Sequence, residues 1–274
     1  MSPKSSTVAL GLLPPPIDKT KYKKDLLKVD GRLIHPANYV IVGPSQAGKS
    51  TILTRIISEK ERLFRHKEKF SAPNVPKIVI YSYGIYSGEV DKLFRGGLVD
   101  KVIKGLPETF EQLEKTIRPY SKVGVILIVD DAISHFMSAK KSSYLPQMFE
   151  TLSHHLNCSV FFSSQSMFLD STLFRRITSN VHYRIIVYNS QGENKVRDLA
   201  RQIEPNHVSW FMNVYLDACR KEKRLSDGSG NKYQGYLLVS GHPNIDQYQR
   251  YTTNIFKKEN YPYTMYFREG VELK

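Results

Sequence analysis

Cysteine is scarce in this chain of 274 residues, and the only two, Cys158 and Cys219, stand far apart and outside any C-x-x-C pair. That excludes a zinc ribbon and a disulfide framework and fits a reducing compartment. No apolar run approaches the ~20 residues that span a bilayer. The N-terminal TVALGLL is too short for a signal segment and runs straight into Pro14-Pro15-Pro16. The expectation is a soluble intracellular protein with no membrane partner, not a secreted one. Acidic residues are also in deficit: 26 Asp+Glu stand against 40 Lys+Arg, a net charge of +14. A surplus of this size points to a polyanionic partner, nucleic acid before an acidic membrane surface, with a solvated basic surface as the alternative. Histidine offers no metal site. His154 and His155 are adjacent on a helical stretch and cannot both face one ion, and His35, before Pro36, reads as a loop residue. No repeat recurs at periods of 20–50 residues.

What is present reads as an ordinary globular composition, 41% apolar and 24% charged. Tyrosine is frequent, at 17 residues, which serves either stacking on bases or core packing. Residues 1–35 form a Pro- and Lys-rich arm, with five lysines in the ten positions of KTKYKKDLLK. From Pro36 to about residue 190, strand-like and helix-like segments alternate. NYVIV (38–42), KIVIYSY (77–83), LVDKVIK (98–104), VGVILIVDD (123–131), CSVFFSS (158–164) and HYRIIVYN (182–189) read as strands. Residues 49–63, 107–120, YLPQMFETLSHH and STLFRRITS read as helices. Near-continuous apolar strands separated by helices predict an α/β fold with a mostly parallel sheet covered on both faces. Residues 191–274 add two helical stretches, a turn at DGSGN and closing strands, read as part of the same domain.

The first chemical signal is GPSQAGKST, residues Gly43, Pro44, Ser45, Gln46, Ala47, Gly48, Lys49, Ser50 and Thr51. It fits G-x-x-x-x-G-K-[ST] between a strand and a helix. Such glycines let successive backbone N–H groups converge on a phosphate, and the positive end of the following helix faces the same anion. Lys49 is the group to reach the β- and γ-phosphates, and Ser50 offers a hydroxyl to Mg²⁺.

A second metal-side group is supplied by VILIVDD, which carries Asp130 and Asp131 to the sheet edge where ligands of open α/β sheets bind. Asp130 is the candidate Mg²⁺ ligand, and Asp131 the candidate acceptor of a proton from attacking water. Gln165 follows the next strand, where it either orients water near the γ-phosphate or is a surface amide. Arg175 and Arg176 offer a charge to the phosphoryl group across a subunit boundary, or form a solvated basic face.

Several functions share such a loop. A small-molecule or nucleoside kinase needs an Arg-bearing lid and seldom carries so much positive charge. A GTP switch needs N-K-x-D on a late strand, and IIVYNSQGEN does not supply it. A structural anion site gives no reason for carboxylates beside phosphate. An oligomeric ATPase that moves nucleic acid accounts for the loop, the Asp pair, Gln165, the arginines and the charge together.

Five segments in order, IHPANYVIVGPSQAGKST, VILIVDD, CSVFFSSQS, LFRRITSNVHYRIIVY and YLLVSGHP…YTTNIF, resemble the genome-packaging ATPases of the FtsK–HerA superfamily. The likeness is to the poxvirus-type branch found in large DNA viruses, virophages and Polinton-like elements, over residues 35 to 257. It implies a P-loop NTPase fold of the additional-strand type, with ATP and Mg²⁺ as cofactors. It also implies a homo-oligomeric ring, pentamer or hexamer, that drives double-stranded DNA into a preformed capsid through a portal-like vertex. Such a protein works in a host cell's cytoplasm or nucleus, or with the virion. By this resemblance Lys49, Ser50 and Thr51 belong to the phosphate and metal motif, and Asp130 and Asp131 to the acidic pair. Gln165 matches the polar sensor, and Arg176 is the better finger candidate of the two arginines. Asp131 stands where many related motors carry Glu. The basic stretch RKEKRLSDGSGNK, with Arg220, Lys221, Lys223 and Arg224, is either a further candidate for DNA contact or a solvated helix end.

Overall fold

Apolar strand runs without helical period assemble here into a sheet whose C-terminal edge carries the phosphate loop. The computed structural model describes residues 32–66, 75–84, 88–130, 144–165, 177, 179–189, 192–221, 235–245, 249–256 and 264–266. Residues 1–31 of the arm, Asp131, Arg175, Arg176, Lys223, Arg224 and most of STLFRRITS lie outside those residues, whereas the arm's last residues, 33–35, form a strand.

In chain order the elements begin with β1 (Leu33–His35), β2 (Asn38–Val42), α1 (Lys49–Ser58), α2 (Lys60–Leu63), β3 (Phe64–His66) and β4 (Ile78–Tyr83). Then come α3 (Gly88–Arg95), β5 (Lys101–Lys104), α4 (Phe110–Ile117), β6 (Val125–Asp130), α5 (Tyr144–His155) and β7 (Cys158–Ser164). The last are β8 (Tyr183–Val187), α6 (Glu193–Ile203), α7 (Val208–Lys221), β9 (Tyr236–Ser240), β10 (Tyr251–Thr253) and β11 (Thr264–Tyr266).

Nine strands form one sheet in the order β11-β10-β9-β8-β2-β7-β6-β4-β5. The pairs from β8 through β5 are all parallel, and β9, β10 and β11 extend the sheet antiparallel. Alternation along the strands divides the core. On one face Tyr39, Ile41, Ile126 and Ile128 pack with Leu53 and Ile56 of α1 and Leu93 of α3. On the other, Val40, Leu127 and Phe162 pack with Leu113 of α4 and Met148 and Leu152 of α5. Further along the sheet, α6 and α7 bury Leu199, Phe211 and Tyr215 with Ile186 of β8 and Leu237 of β9. The α/β fold with a mostly parallel sheet and helices on both faces is as the sequence predicts. Among the described residues no helix is long and apolar enough to cross a membrane.

Local boundaries differ in instructive ways. The single helix expected over residues 49–63 breaks at Glu59, whose φ of −109° and ψ of 14° leave helical geometry. Its carboxylate bridges Arg55 at 3.3 Å and Arg62 at 2.5 Å. The helix expected from residue 107 starts later, because Thr109 caps it in a reciprocal box with Gln112. His35 is not a loop residue. It ends β1, which pairs in parallel with β3, and it is fully buried with Nδ1 2.8 Å from Ser159 Oγ. Both cysteines are buried and neither is in a disulfide, and burial pushes the Cys158 thiol well above its ordinary range.

The strands under the loop are tied by stacked rings. Tyr39 of β2 lies against Phe161 of β7 (centroids 4.1 Å apart) and Tyr183 of β8 (4.6 Å), and Phe64 meets the stack edge-on. The Tyr39 hydroxyl donates to the Ile34 carbonyl at 2.5 Å, and the Ile34 N–H donates to the Tyr183 hydroxyl at 3.1 Å. Two phenols thus satisfy both backbone groups of one buried β1 residue, and burial raises both phenol pKa values, so they stay neutral. Tyr39→Phe is expected to cost about 1–3 kcal/mol by leaving the Ile34 carbonyl unsatisfied. Tyr39→Ala is expected to cost about 3–5 kcal/mol by opening the stack. Urea denaturation at unchanged slope measures both, and equal losses would contradict a contribution from the rings.

Candidate phosphate and metal site

The loop after β2 owes its path to two glycines with different reasons. At Gly43 a Cβ would lie 2.9 Å from the Val187 Cβ of β8, so only glycine permits this approach to the neighbouring strand. Gly48 has φ 86° and is the N-cap of α1, a left-handed conformation that glycine adopts without strain. Gln46 also has positive φ (60°), which costs a residue with a Cβ roughly 1–2 kcal/mol. No motif consensus signals that strain, because the position is open to any residue.

The loop curls as an anion cradle requires. Ala47 N–H donates back to the Pro44 carbonyl at 3.3 Å, and α1 opens with Ile52 N–H on the Gly48 carbonyl at 3.0 Å. The N–H groups of the first helical turn have no carbonyl four residues back to bond. No acidic residue lies in that turn to compete for the dipole's positive end. The Lys49 ammonium sits across the loop, donating to the Gly43 carbonyl at 2.9 Å and the Pro44 carbonyl at 2.8 Å. The lysine is only 8% exposed, so its charge is held at the cradle and not in solvent. Of the remaining loop residues, Ser45, Gln46 and Thr51 are exposed and Ala47 is buried.

The sheet brings the other candidates to the same edge. β7 lies between β2 and β6, pairing Val42 with Ser164 on one side and Val129 with Phe162 on the other. Gly43 N–H continues the ladder onto the Ser164 carbonyl at 3.2 Å, and Gln165, the next residue, is exposed beside the loop's first residue. Asp130 ends β6 on the α1 side, and Ser50 Oγ donates to its Oδ2 at 3.3 Å. Loop serine and acidic strand end therefore meet, and Gln165 follows its strand at the same sheet edge. Asp131 and Arg176, the remaining predicted residues, lie outside the described residues.

The donor set fits Mg²⁺. Ser50 and Asp130 offer hard oxygens, and Mg²⁺ commonly takes one or two protein oxygens and completes its shell with phosphate and water. Among the described residues no group of three or more His, Cys, Asp or Glu gathers, so they contain no all-protein metal cage.

One residue of the site escapes sequence reasoning. Tyr81 of β4 donates its hydroxyl to the same Asp130 Oδ2 at 2.7 Å. Among 17 tyrosines nothing in the sequence singles it out. Its only signal is position, on the apolar strand KIVIYSY that proves to lie beside the acidic one.

No protein-family model matches the chain, and no curated protein matches it. Among solved structures it is similar to the DNA-packaging ATPase B204 of Sulfolobus turreted icosahedral virus, at 16% identity over 75% of this chain and 93% of that one, with a TM-score of 0.47. It is likewise similar to the genome packaging NTPase B204 of Sulfolobus turreted icosahedral virus 2 in complex with ATP-gammaS, at 16% identity, 75% and 92% coverage and a TM-score of 0.43. The cytoplasmic domain of EssC is similar at 14% identity over 60% of this chain and 33% of that one, with a TM-score of 0.41. The fold assignment stands on this chain's own geometry, namely the glycine-shaped loop between β2 and α1 and the extra strand that separates β2 from the acidic β6. The chain has the P-loop NTPase fold of the additional-strand type.

Proposed function

We propose that this chain is the ATP-hydrolysing subunit of a ring-shaped motor that translocates double-stranded DNA, packaging a viral genome into a preformed capsid. The observation that carries the hydrolytic part is the convergence of Lys49, Ser50, Asp130 and Gln165 at one sheet edge around the loop. The DNA part is supported by the charge of +14 and by the resemblance of the five ordered segments to packaging ATPases.

In this mechanism the loop's N–H groups and the Lys49 ammonium bind the β- and γ-phosphates of ATP. Ser50 and Asp130 would hold Mg²⁺, which when bound would supply positive charge to the phosphates. Gln165 orients a water, and Asp131 accepts its proton as the water oxygen bonds to the γ-phosphorus and the bond to ADP breaks. Arg176 of a neighbouring subunit stabilises the charge on the phosphoryl group in flight. The basic sequence RKEKR, with Arg220, Lys221, Lys223 and Arg224, is a candidate contact for the DNA backbone.

The decisive assay measures phosphate release alone, with double-stranded DNA, and with a panel of small phosphoryl acceptors. DNA is expected to stimulate hydrolysis, whereas transfer to a small acceptor would favour a kinase. Lys49→Ala should lower the rate at least about 10²-fold, as loss of a transition-state charge does. Asp131→Asn should retain bound ATP without turnover. Mixing Arg176→Ala with Asp131→Asn subunits should restore part of the activity, and no recovery rejects the arginine's role across the subunit boundary. DNA affinity should fall steeply and linearly on a log–log plot against salt, because phosphate contacts release counterions.

A further inference from the structure

Asp130 is oriented by a tyrosine that neither the loop motif nor the acidic pair includes. β4 pairs in parallel with β6, with Tyr81 opposite Ile128 and Tyr83 opposite Asp130. Tyr81 therefore sits two residues below the carboxylate, about 6.6 Å along the strand direction. A phenol spans that gap, and its hydroxyl reaches Asp130 Oδ2 at 2.7 Å. The ring is 2% exposed and packed on the α1 side of the sheet with Ile126 and Ile128. It is held by the core and points one polar atom at the site.

Both described hydrogen bonds to this carboxylate fall on the same oxygen. Ser50 Oγ approaches Oδ2 at 3.3 Å and Tyr81 at 2.7 Å, so the phenol is the shorter tie. Two donors from different elements, α1 and β4, fix the rotation of the carboxylate and leave Oδ1 without a donor among the described residues. A buried phenol is suited to this, because it carries no charge to compete with a cation and donates a directional bond to an anionic oxygen. Losing a group that holds a ligating side chain from behind typically costs roughly 10–100-fold in metal affinity or activity.

We propose that Tyr81 is a positioning residue for the metal-binding carboxylate, setting the affinity of the nucleotide site for Mg²⁺ through Asp130. The proposal rests on the nucleotide-site reading above. The test titrates Mg²⁺ into the full chain with a fluorescent ATP analogue, and repeats the nucleotide titration in EDTA. Tyr81→Phe keeps the ring and is expected to raise the Mg²⁺ concentration at half-saturation about 10-fold. Metal-free nucleotide affinity and the melting temperature should hardly change. In an Asp130→Ala background, Tyr81→Phe should cause no further shift, because its effect passes through the carboxylate.

An unchanged Mg²⁺ requirement in a folded Tyr81→Phe protein that binds the analogue overturns the proposal and leaves the nucleotide site intact. An additive effect in the Asp130→Ala background overturns it too, as does equal weakening with and without metal. If the unsubstituted chain fails to bind the analogue at all, the nucleotide-site reading falls and the role of Tyr81 with it.

Discussion

Insertion of β7 between β2 and β6, in parallel and in register, is the constraint on which the rest depends. Parallel strands deliver all their C-terminal ends to one edge, so the loop after β2, the carboxylate ending β6 and the glutamine after β7 must meet there. The Gly43–Ser164 hydrogen bond fixes their level at the site itself. A one-residue slip of β7 would turn Phe161 to the opposite face and displace Gln165 from the first residue of the loop. Register in this part of the sheet is thus a chemical requirement as well as a packing one.

The register has its own support below the site. Tyr39 stacks on both neighbours, Phe161 and Tyr183, at matched positions of three adjacent strands. Rings of this size align only when the strands do, and each such pair is worth roughly 0.5–1.5 kcal/mol beyond its buried area. The phosphate loop then grows from a rigid row and can hold strain at Gln46 and a close approach at Gly43. Strain of that kind persists only where the surrounding structure over-determines it.

The fold was legible where the hydrophobic pattern was long and unbroken. NYVIV, VILIVD and CSVFFSS could only be buried strands, and the loop between an apolar run and a helix identified the first of them as the phosphate strand. Short elements were not legible. β1 and β3 have three residues each and exist because they pair with one another, which is why His35 read as a loop residue. Around the break at Glu59, Arg55 and Arg62 also donate to the Phe256 carbonyl at 3.4 Å and the Ile255 carbonyl at 3.1 Å, long-range contacts that helix propensity does not encode. In the site, Lys49, Ser50 and Asp130 were readable because their chemistry is tied to fixed spacing or to a strand end. Tyr81 was not, since its role depends on β4 lying beside β6, and strand order is not written in a local pattern.

The central claim is that one sheet edge gathers a triphosphate-binding constellation. It is tested most directly by an experimental structure of the chain with Mg²⁺ and a non-hydrolysable ATP analogue. The account predicts the β- and γ-phosphates within hydrogen-bonding distance of Lys49 Nζ and the loop N–H groups. It predicts the metal against Ser50 and Asp130, with Gln165 facing the γ-phosphate. A nucleotide bound elsewhere, or phosphates in the loop with Asp130 and Gln165 both turned away, would contradict it.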